Sequence, residues 1–336
     1  MLRKIGIAIV ALLLLVAFGV VRVLNDRPDL ERWRALELPP AKLPIGDGEV
    51  RITFFGVSTL VIRDRETTIL VDGFFTRPGL LTMLVGEVEP DPLVIAAELE
   101  RAGVERAAAV IVVHSHFDHV MDAPEVAKRT GAVVVGSEST ANVSRGWGLS
   151  SDQIVVPEPG EDLRYGGFVV TLFESEHFPH GMAMGEITEP LVPPAPALDY
   201  LDGGSFSVAI AHPESGTILV QGSAGWRPGA LSGKKFDVVL LGVGGLGGRD
   251  DAYRDDYYDQ VVESVQPSLV IPIHWDDFTR PLTEPLRPFP RIQDDLDVTM
   301  KFLIDRAHES NRTDVAMLPP LREVKLLPRP DPGQAE

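Results

Sequence analysis

The sequence contains no cysteine, and this absence excludes several kinds of chemistry. Disulfide bonds, thiolate metal ligands, cysteine nucleophiles and lipid anchors attached to cysteine are all ruled out. Any bound metal ion must therefore be held by histidine and carboxylate side chains, a ligand set that suits zinc, iron or manganese. Histidine is itself scarce, with 8 residues in 336, so a cluster of several of them is informative.

Basic side chains are also few, since 31 Lys and Arg face 49 Asp and Glu and leave a net charge of -18. This charge argues against a nucleic-acid partner, because binding to phosphates needs clustered Lys and Arg. It also weighs against docking on anionic lipid through a basic patch. The chain is long enough, at 336 residues with 44% hydrophobic side chains, to build a sizeable core.

The one long apolar run covers residues 5–21 and follows Arg3 and Lys4. It is long enough for a membrane-spanning helix and continues past the small-residue site at which a signal peptidase would cut. We therefore predict a single-pass N-terminal membrane anchor in residues 1–25, with a cleaved signal peptide as the alternative. The signal-like start predicts an extracytoplasmic catalytic domain, although the arginines after the run count against export.

The rest of the chain reads as one α/β domain with layered sheets. Residues 26–48 form a polar, proline-containing linker, residues 49–325 the domain and residues 326–336 a tail. Buried strands are predicted at several places, and Asp91 and Asp122 are predicted to cap two helices. The predicted strands cover residues 107–113, 131–136, 168–175, 206–211, 217–221, 238–242 and 268–273. A long proline-rich loop at 180–204 is either a lid or substrate wall, or a surface insertion.

Four ligand-type side chains lie in one short loop directly after the apolar strand 107–113. They are His114, His116, Asp118 and His119. The carboxyl ends of strands are where α/β sheets place their sites. Three imidazoles and a carboxylate are costly to bury without partners, and one metal centre would satisfy them together. An exposed polar loop is the alternative, but the histidine content and the strand context favour metal binding.

Two further histidines occupy the same position relative to predicted strands. His177 and His274 each follow a strand closely, so the fold is expected to bring them to the same edge as the first cluster. His180 lies close to His177 in sequence and is predicted to face the substrate. His212 precedes a proline at the end of an alternating strand and is predicted to be structural or on the surface.

These residues resemble the metallo-β-lactamase fold superfamily, whose His-x-His-x-Asp-His motif is matched at each defined position by residues 114–119. Residues 69–75 and 271–275 resemble the opening hairpin and the closing motif of its lactonase-like and N-acyl-phosphatidylethanolamine phospholipase-D-like branch. The resemblance extends over residues 51–279. It implies an α/β fold, the four-layer αββα sandwich, here preceded by the predicted N-terminal transmembrane helix.

The resemblance also implies two sets of metal ligands: His114, His116 and His177 for one ion, and Asp118, His119 and His274 for a second. Zinc is expected, as one or two ions, with iron or manganese as alternatives. A water or hydroxide would lie between metals roughly 3.5–4 Å apart, and Asp118 would act as the catalytic residue that orients it and carries a proton. The implied function is a metal-dependent hydrolase that cleaves an ester, lactone or phosphodiester through a metal-bound hydroxide. Its substrate would be a small molecule or lipid-like.

Two positions depart from the family pattern. Ser223 stands where the family has a bridging Asp, and a neutral hydroxyl is a poorer ligand for such cations than a carboxylate. We expect a weakened second site, a single metal or a different bridging group, for which Gln221 and Glu176 are candidates. The branch often has a histidine at the position of Val57.

The substitution at Ser223 motivates a second hypothesis, a membrane-tethered, non-catalytic binding protein on a degenerate hydrolase fold. We favour the enzyme because the rest of the ligand set is intact, whereas loss of function usually erodes several ligands.

Overall fold

The computed structural model describes residues 2–326, so all of the predicted tail except Leu326 lies outside the described residues. Within that part of the chain there are eight α-helices: α1 (Leu2–Asn25), α2 (Leu80–Val85), α3 (Pro92–Arg101), α4 (Phe117–Val120), α5 (Ala123–Thr130), α6 (Glu138–Gly146), α7 (Asp251–Tyr258) and α8 (Leu296–Ser310). Shorter 3₁₀ turns cover Leu30–Leu36, Ser151–Gln153, Ala197–Asp199 and Leu246–Gly248, and a π-helical turn at Asp259–Glu263 follows α7.

The same residues contain sixteen strands. They are β1 (Arg51–Phe54), β2 (Leu60–Arg63), β3 (Thr68–Val71), β4 (Glu87–Val88), β5 (Ala109–Ile111), β6 (Val133–Val135), β7 (Ile154–Val155), β8 (Asp162–Tyr165), β9 (Phe168–Ser175), β10 (Ala195–Pro196), β11 (Ser205–His212), β12 (Gly216–Gln221), β13 (Val238–Gly242), β14 (Leu269–Ile273), β15 (Asp314–Val315) and β16 (Glu323–Lys325).

Two seven-stranded sheets organise the domain. The first has the order β16-β1-β2-β3-β5-β6-β7, and its strands from β3 to β7 run parallel. The second has the order β15-β14-β13-β12-β11-β9-β8, and its strands from β12 to β15 run parallel. Strands β5 and β13 are buried along their whole length, as expected for all-apolar central strands covered on both faces.

Helices cover both sheets. Helices α5 and α6 contact strands of the first sheet and α3 packs on α5, whereas α8 contacts β15 of the second. One continuous apolar core contains residues from both sheets, among them Val110 and Leu240. The result is a mixed α/β sandwich, which fits the sandwich predicted from the sequence.

The predicted transmembrane helix is not supported. Helix α1 occupies the predicted anchor, but among residues 2–326 no helix is long and apolar enough to cross a bilayer. A span needs about 20 predominantly apolar residues. The predicted localisation, a single-pass N-terminal membrane anchor, is therefore wrong.

The segment predicted as a linker is hydrogen-bonded to the C-terminal part of the chain. The Leu38 N–H donates to the carbonyl of Met317 at 2.9 Å, and the Trp33 Nε1–H donates to Asp297 at 3.0 Å. These bonds place residues 26–48 against the sandwich rather than away from it.

The two predicted helix caps differ. The Asp91 carboxylate accepts from the N–H groups of the first turn of α3, as the sequence predicts. The Asp122 carboxylate makes no such bond in α5 and instead accepts from Phe75 N–H at 2.7 Å and Thr76 N–H at 2.6 Å. Asp122 is fully buried, and these amides from a neighbouring loop take the place of the helix N–H groups.

Candidate metal centre

The candidate ligands lie at the carboxyl ends of strands from both sheets. The motif at residues 114–119 follows β5 and continues into α4, His177 follows β9, and His274 follows β14. Strand β3 runs parallel to β5, so Asp72, at the end of β3, reaches the same edge. The strand-end positions recognised in the sequence therefore do converge in space.

Three histidines form what we call the triple-histidine group: His114, His116 and His177. Each offers one ring nitrogen within 4.8 Å of the others. The His116 Nε2 bonds to the Ala183 carbonyl at 3.1 Å, and the His177 Nδ1 to the Phe178 carbonyl at 2.8 Å. Because His116 and His177 each have one ring nitrogen held by a carbonyl, the other nitrogen of each ring is free for a metal.

The remaining candidates form the mixed group: Asp118, His119 and His274, again with ligand atoms within 4.8 Å of one another. The Asp118 Oδ2 lies 3.6 Å from His119 Nε2 and 3.5 Å from His274 Nε2. His274 has a φ of 59°, and its N–H donates to the Val57 carbonyl at 2.7 Å. Val57 thus contributes its backbone carbonyl to the site.

The two groups adjoin each other. The rings of His114 and His119 have centroids 3.8 Å apart, and those of His119 and His274 are 5.2 Å apart. The structure thus brings together all six side chains named from the sequence. It leaves His212 elsewhere, 3.4 Å from the carboxylate of Asp64.

Several buried ring nitrogens have no hydrogen-bond partner among the described residues. Both nitrogens of His114 are unpaired although its side chain is 1% exposed, and His119 Nε2 and His274 Nδ1 are unpaired as well. Buried polar atoms without partners destabilise a fold by about 1–3 kcal/mol each. Metal ions would satisfy the ring nitrogens that face the two groups, so the residues present fit a metal centre.

The electrostatics of the triple-histidine group favour neutral rings. Burial, followed by the charges that neighbouring imidazoles would carry, holds the pKa of His114 well below its ordinary value. The same causes lower the pKa of His177 to about 2, and burial lowers that of His116. Neutral imidazole is the form that binds metal, so these rings are ready to coordinate near neutral pH.

The mixed group contains compensating charge. Burial by itself would raise the pKa of Asp118, but His119 and His274 hold it well below its usual range. Burial would lower the pKa of His119, but the carboxylates of Asp118 and Asp72 raise it. Asp118 is therefore ionised at neutral pH, as a ligand carboxylate must be.

Asp72 and Ser58 support His119 and were not named as site residues from the sequence. The Asp72 Oδ2 lies 2.8 Å from His119 Nδ1, and the Ser58 hydroxyl lies 3.0 Å from the same nitrogen. Asp72 is anchored by the Val113 N–H, which donates to its Oδ1 at 2.9 Å. Its place directly after an apolar strand is the signal that identified His114, and the same argument applied to Asp72 would have found it.

Ser223, at the position where a bridging carboxylate was expected, takes part in structural hydrogen bonds instead. The Ser223 hydroxyl accepts from the Phe178 N–H at 2.9 Å. The Gln221 amide donates to the carbonyls of Ser223 and Gly225 at 3.2 and 2.7 Å, and its oxygen accepts from Ser207. Glu176 is exposed. Of the two candidate replacements, Gln221 is engaged in holding the turn.

The proline-rich loop lies against the centre. Its Ala183 carbonyl bonds His116, and the Asp202 carbonyl accepts from the Ser115 N–H at 2.9 Å, in the middle of the histidine motif. His180, on the same loop, has its ring centroid 4.8 Å from that of His177. These contacts favour the prediction that the loop is a wall of the substrate site over the alternative of a surface insertion.

The known proteins that this chain resembles include metal-dependent hydrolases. Residues 52–225 match the sequence model of the metallo-beta-lactamase superfamily. A UPF0173 metal-dependent hydrolase of Methanopyrus kandleri is 24% identical over 267 residues, which cover 78% of this chain and 99% of that protein. A UPF0173 metal-dependent hydrolase of Staphylococcus aureus is 27% identical over 236 residues, 70% of this chain and 89% of that one.

A solved structure shows the same fold. A metallo hydrolase from the archaeon Ignicoccus hospitalis superimposes with a TM-score of 0.50 and 17% identity, covering 82% of this chain and 98% of that one. The resemblance seen in the histidine motif is confirmed by these findings.

Proposed function

Because this chain belongs to the metallo-beta-lactamase superfamily and is a metal-dependent hydrolase, we propose that it cleaves an ester, lactone or phosphodiester at the two groups described above. The observation that carries this proposal is the convergence of six ligand side chains, with several ring nitrogens buried and unpaired. The hypothesis of a membrane-tethered, non-catalytic binding protein loses its membrane tether, and the relatives are named metal-dependent hydrolases.

We propose that the triple-histidine group holds one ion and that the mixed group holds a second. Zinc suits three imidazoles, or two imidazoles and a carboxylate, while iron and manganese are the alternatives. When bound, such ions act as Lewis acids that polarise the scissile group and make water a nucleophile near neutral pH.

The chain's own residues then orient the ligand side chains and transfer protons. Asp118 is ionised, so its carboxylate begins the reaction as a proton acceptor, and a proton taken up during turnover would make it a donor to the leaving group. The Asp72 carboxylate orients His119 through Nδ1. The proline-rich loop limits access of water from one side, since it bonds to the histidine motif.

The test combines metal content with turnover. The full chain is purified, its metal per chain is determined by elemental analysis, and a panel of esters, lactones and phosphodiesters is assayed before and after reconstitution with zinc. His116→Ala should lose metal and hydrolysis while its thermal unfolding shows a folded domain. His308→Ala, which changes an exposed histidine of α8, is the matched control and should keep both. Unchanged turnover in His116→Ala would contradict the proposed site.

A further inference from the structure

Arg249 lies at the edge of the candidate metal centre. It follows the glycine-rich turn after β13, which packs between two ligand segments. A Cβ added to Gly244 would lie 3.0 Å from the His274 Nδ1, and one added to Gly245 would lie 2.7 Å from the ring of Phe178. The turn fits this narrow space because Gly244 and Gly245 lack side chains. It places Arg249 beside the segment that contains His177.

The guanidinium of Arg249 is held in a fixed place. It lies over the ring of Phe178, 4.4 Å from the centroid, and over that of Tyr253, at 4.8 Å. It also donates to the Pro179 carbonyl. Stacking on aromatic faces is favourable for arginine and restrains its long side chain. Arg249 is therefore preorganised before any ligand arrives.

This side chain lacks the partner that comparable arginines have. Among residues 2–326, ten arginines are buried or half-buried, and nine of them have a carboxylate within 4.0 Å. The nine are Arg27, Arg51, Arg63, Arg77, Arg254, Arg280, Arg287, Arg291 and Arg306. Arg249 is the tenth, and its buried Nε has no hydrogen-bond partner within the described part of the chain.

His180 connects this cation to the metal centre. Its ring lies 4.8 Å from that of His177 and 5.6 Å from that of His116, measured between centroids. Its Nδ1 accepts from the Met182 N–H at 3.0 Å, so the proton of the neutral ring lies on Nε2, which is available to donate. The ring of Phe178 lies between the two groups, with its centroid 4.4 Å from the Arg249 guanidinium and 6.4 Å from that of the His180 ring.

We propose that Arg249, with His180 beside it, binds an oxyanion of the substrate, so that this hydrolase acts on molecules with a carboxylate or phosphate group near the scissile bond. This inference rests on the proposed hydrolase function and names its substrate class. A planar guanidinium suits either oxyanion, since it can donate two parallel hydrogen bonds. The chain has a net charge of -18, so an anionic substrate needs a local cation to counter the repulsion.

The kinetic test uses substrates that differ in one group. Three esters with the same scissile bond are compared: one neutral, one with a carboxylate and one with a phosphate monoester. Arg249→Gln should raise KM for the charged esters about 10- to 100-fold, the worth of one charge-assisted hydrogen bond, with little change in kcat. KM for the neutral ester should stay the same, and Arg249→Lys should restore part of the loss. The charged ester that shows the larger loss identifies the preferred oxyanion.

The matched control is Arg164→Gln, which removes the same charge from an exposed arginine of β8 that has no ion pair among the described residues. It should leave all three KM values unchanged. An equal rise of KM for neutral and charged esters in Arg249→Gln would overturn the proposal, because it would show a structural role rather than recognition of charge.

A binding measurement separates this inference from the proposed function. Inorganic phosphate and acetate are titrated calorimetrically into the purified full chain and into both variants. Arg249→Gln should bind at least one of them about tenfold more weakly than the wild type or Arg164→Gln. If no ester is hydrolysed but this loss is seen, the proposed ester cleavage fails and the anion site stands. Equal affinities in all three proteins would overturn the anion site, whatever the turnover.

Discussion

The two ligand groups lie side by side but are held in place by different means. Carbonyl oxygens orient two rings of the triple-histidine group, through Ala183 and Phe178, and its three side chains are neutral when they bind metal. The mixed group contains the carboxylate of Asp118, and a second carboxylate, Asp72, supports its His119. Negative charge is therefore concentrated on one side of the centre.

This difference predicts unequal affinity for metal. A divalent ion in the mixed group is partly neutralised by one ligand carboxylate and by Asp72 behind it, whereas an ion in the triple-histidine group meets only neutral rings. Because Ser223 is neutral, the two groups share no carboxylate that would reduce this difference in charge. Contrary to the weakened second site expected from Ser223 alone, we therefore expect the mixed group to hold its ion more tightly, and four measurements test this expectation.

The largest effect should come from removing one imidazole from each group. His177→Ala and His119→Ala should each lose one metal equivalent and lower kcat by more than about 100-fold. Loss of a partner that only orients a ligand costs up to about 100-fold, and loss of the ligand itself should cost more. Elemental analysis and steady-state kinetics on folded protein provide the measurement. If either variant alone loses all of the metal, the two groups act as one site and the comparison fails.

Removing the supporting carboxylate should act on one group only. Asp72→Asn should weaken the more tightly held ion by about 10- to 100-fold, because His119 loses its anionic partner. Competition with a chromogenic chelator measures both ions in turn. Asp122→Asn is the matched control, since Asp122 is equally buried but bonds to Phe75 and Thr76 instead. An equal loss at both ions would show that Asp72 supports the fold rather than His119.

Acid should destabilise the metal-free protein through the triple-histidine group. The folded pKa of His177 is about 2, below the ordinary value of about 6.5, so the unfolded chain takes up its proton first. This contribution to stability is complete above about pH 6.5 and declines as the pH falls toward the folded pKa.

The expected slope is about 1.4 kcal/mol per pH unit for each such histidine. Urea unfolding of the metal-free wild type between pH 8 and 5 measures it, and His177→Ala should show a shallower decline. His119, whose pKa is raised, contributes with the opposite sign, so His119→Ala should not reduce the slope. Identical slopes in wild type and His177→Ala would count against the neutral, buried state of that ring.

The smallest effect should come from adding the carboxylate that the centre lacks. Ser223→Asp should tighten the more weakly held ion on the order of tenfold, about the worth of one charge-assisted contact. Ser223→Asn is the control, because it has nearly the same shape without the charge. Both variants disturb the bond from the Phe178 N–H, so only the difference between them reports on charge. No difference would mean that this position faces away from the metal.

The sequence predicted much of the site because strand ends carry a local signal. An apolar strand followed directly by His114, His116, Asp118 and His119 can be recognised without any tertiary information. Asp91 was equally legible as a helix cap, and the structure confirms it. Asp122 shows the same local signal, but its carboxylate does not cap the helix, because it accepts from amides of a loop that is near in space and far away in the sequence.

The N-terminal run shows the limit of reading hydropathy alone. Its composition satisfied the length rule for a membrane helix, yet no helix among residues 2–326 meets the requirement for a span. Similarly, the linker composition of residues 26–48 did not reveal the hydrogen bonds to Met317 and Asp297. The hydrogen bonds of residues 26–48 depend on what surrounds that segment, which composition does not encode.

By itself, the sequence determined the residue types of the centre, their metal-binding chemistry and the α/β class, since each follows from local pattern. The tertiary structure decided which side chains meet: Asp72 behind His119, the hydroxyl of Ser223 on the Phe178 N–H, and Arg249 over the ring of Phe178. These contacts join residues far apart in the chain. They depend on how the two sheets pack, and such long-range packing leaves no local signal in the sequence.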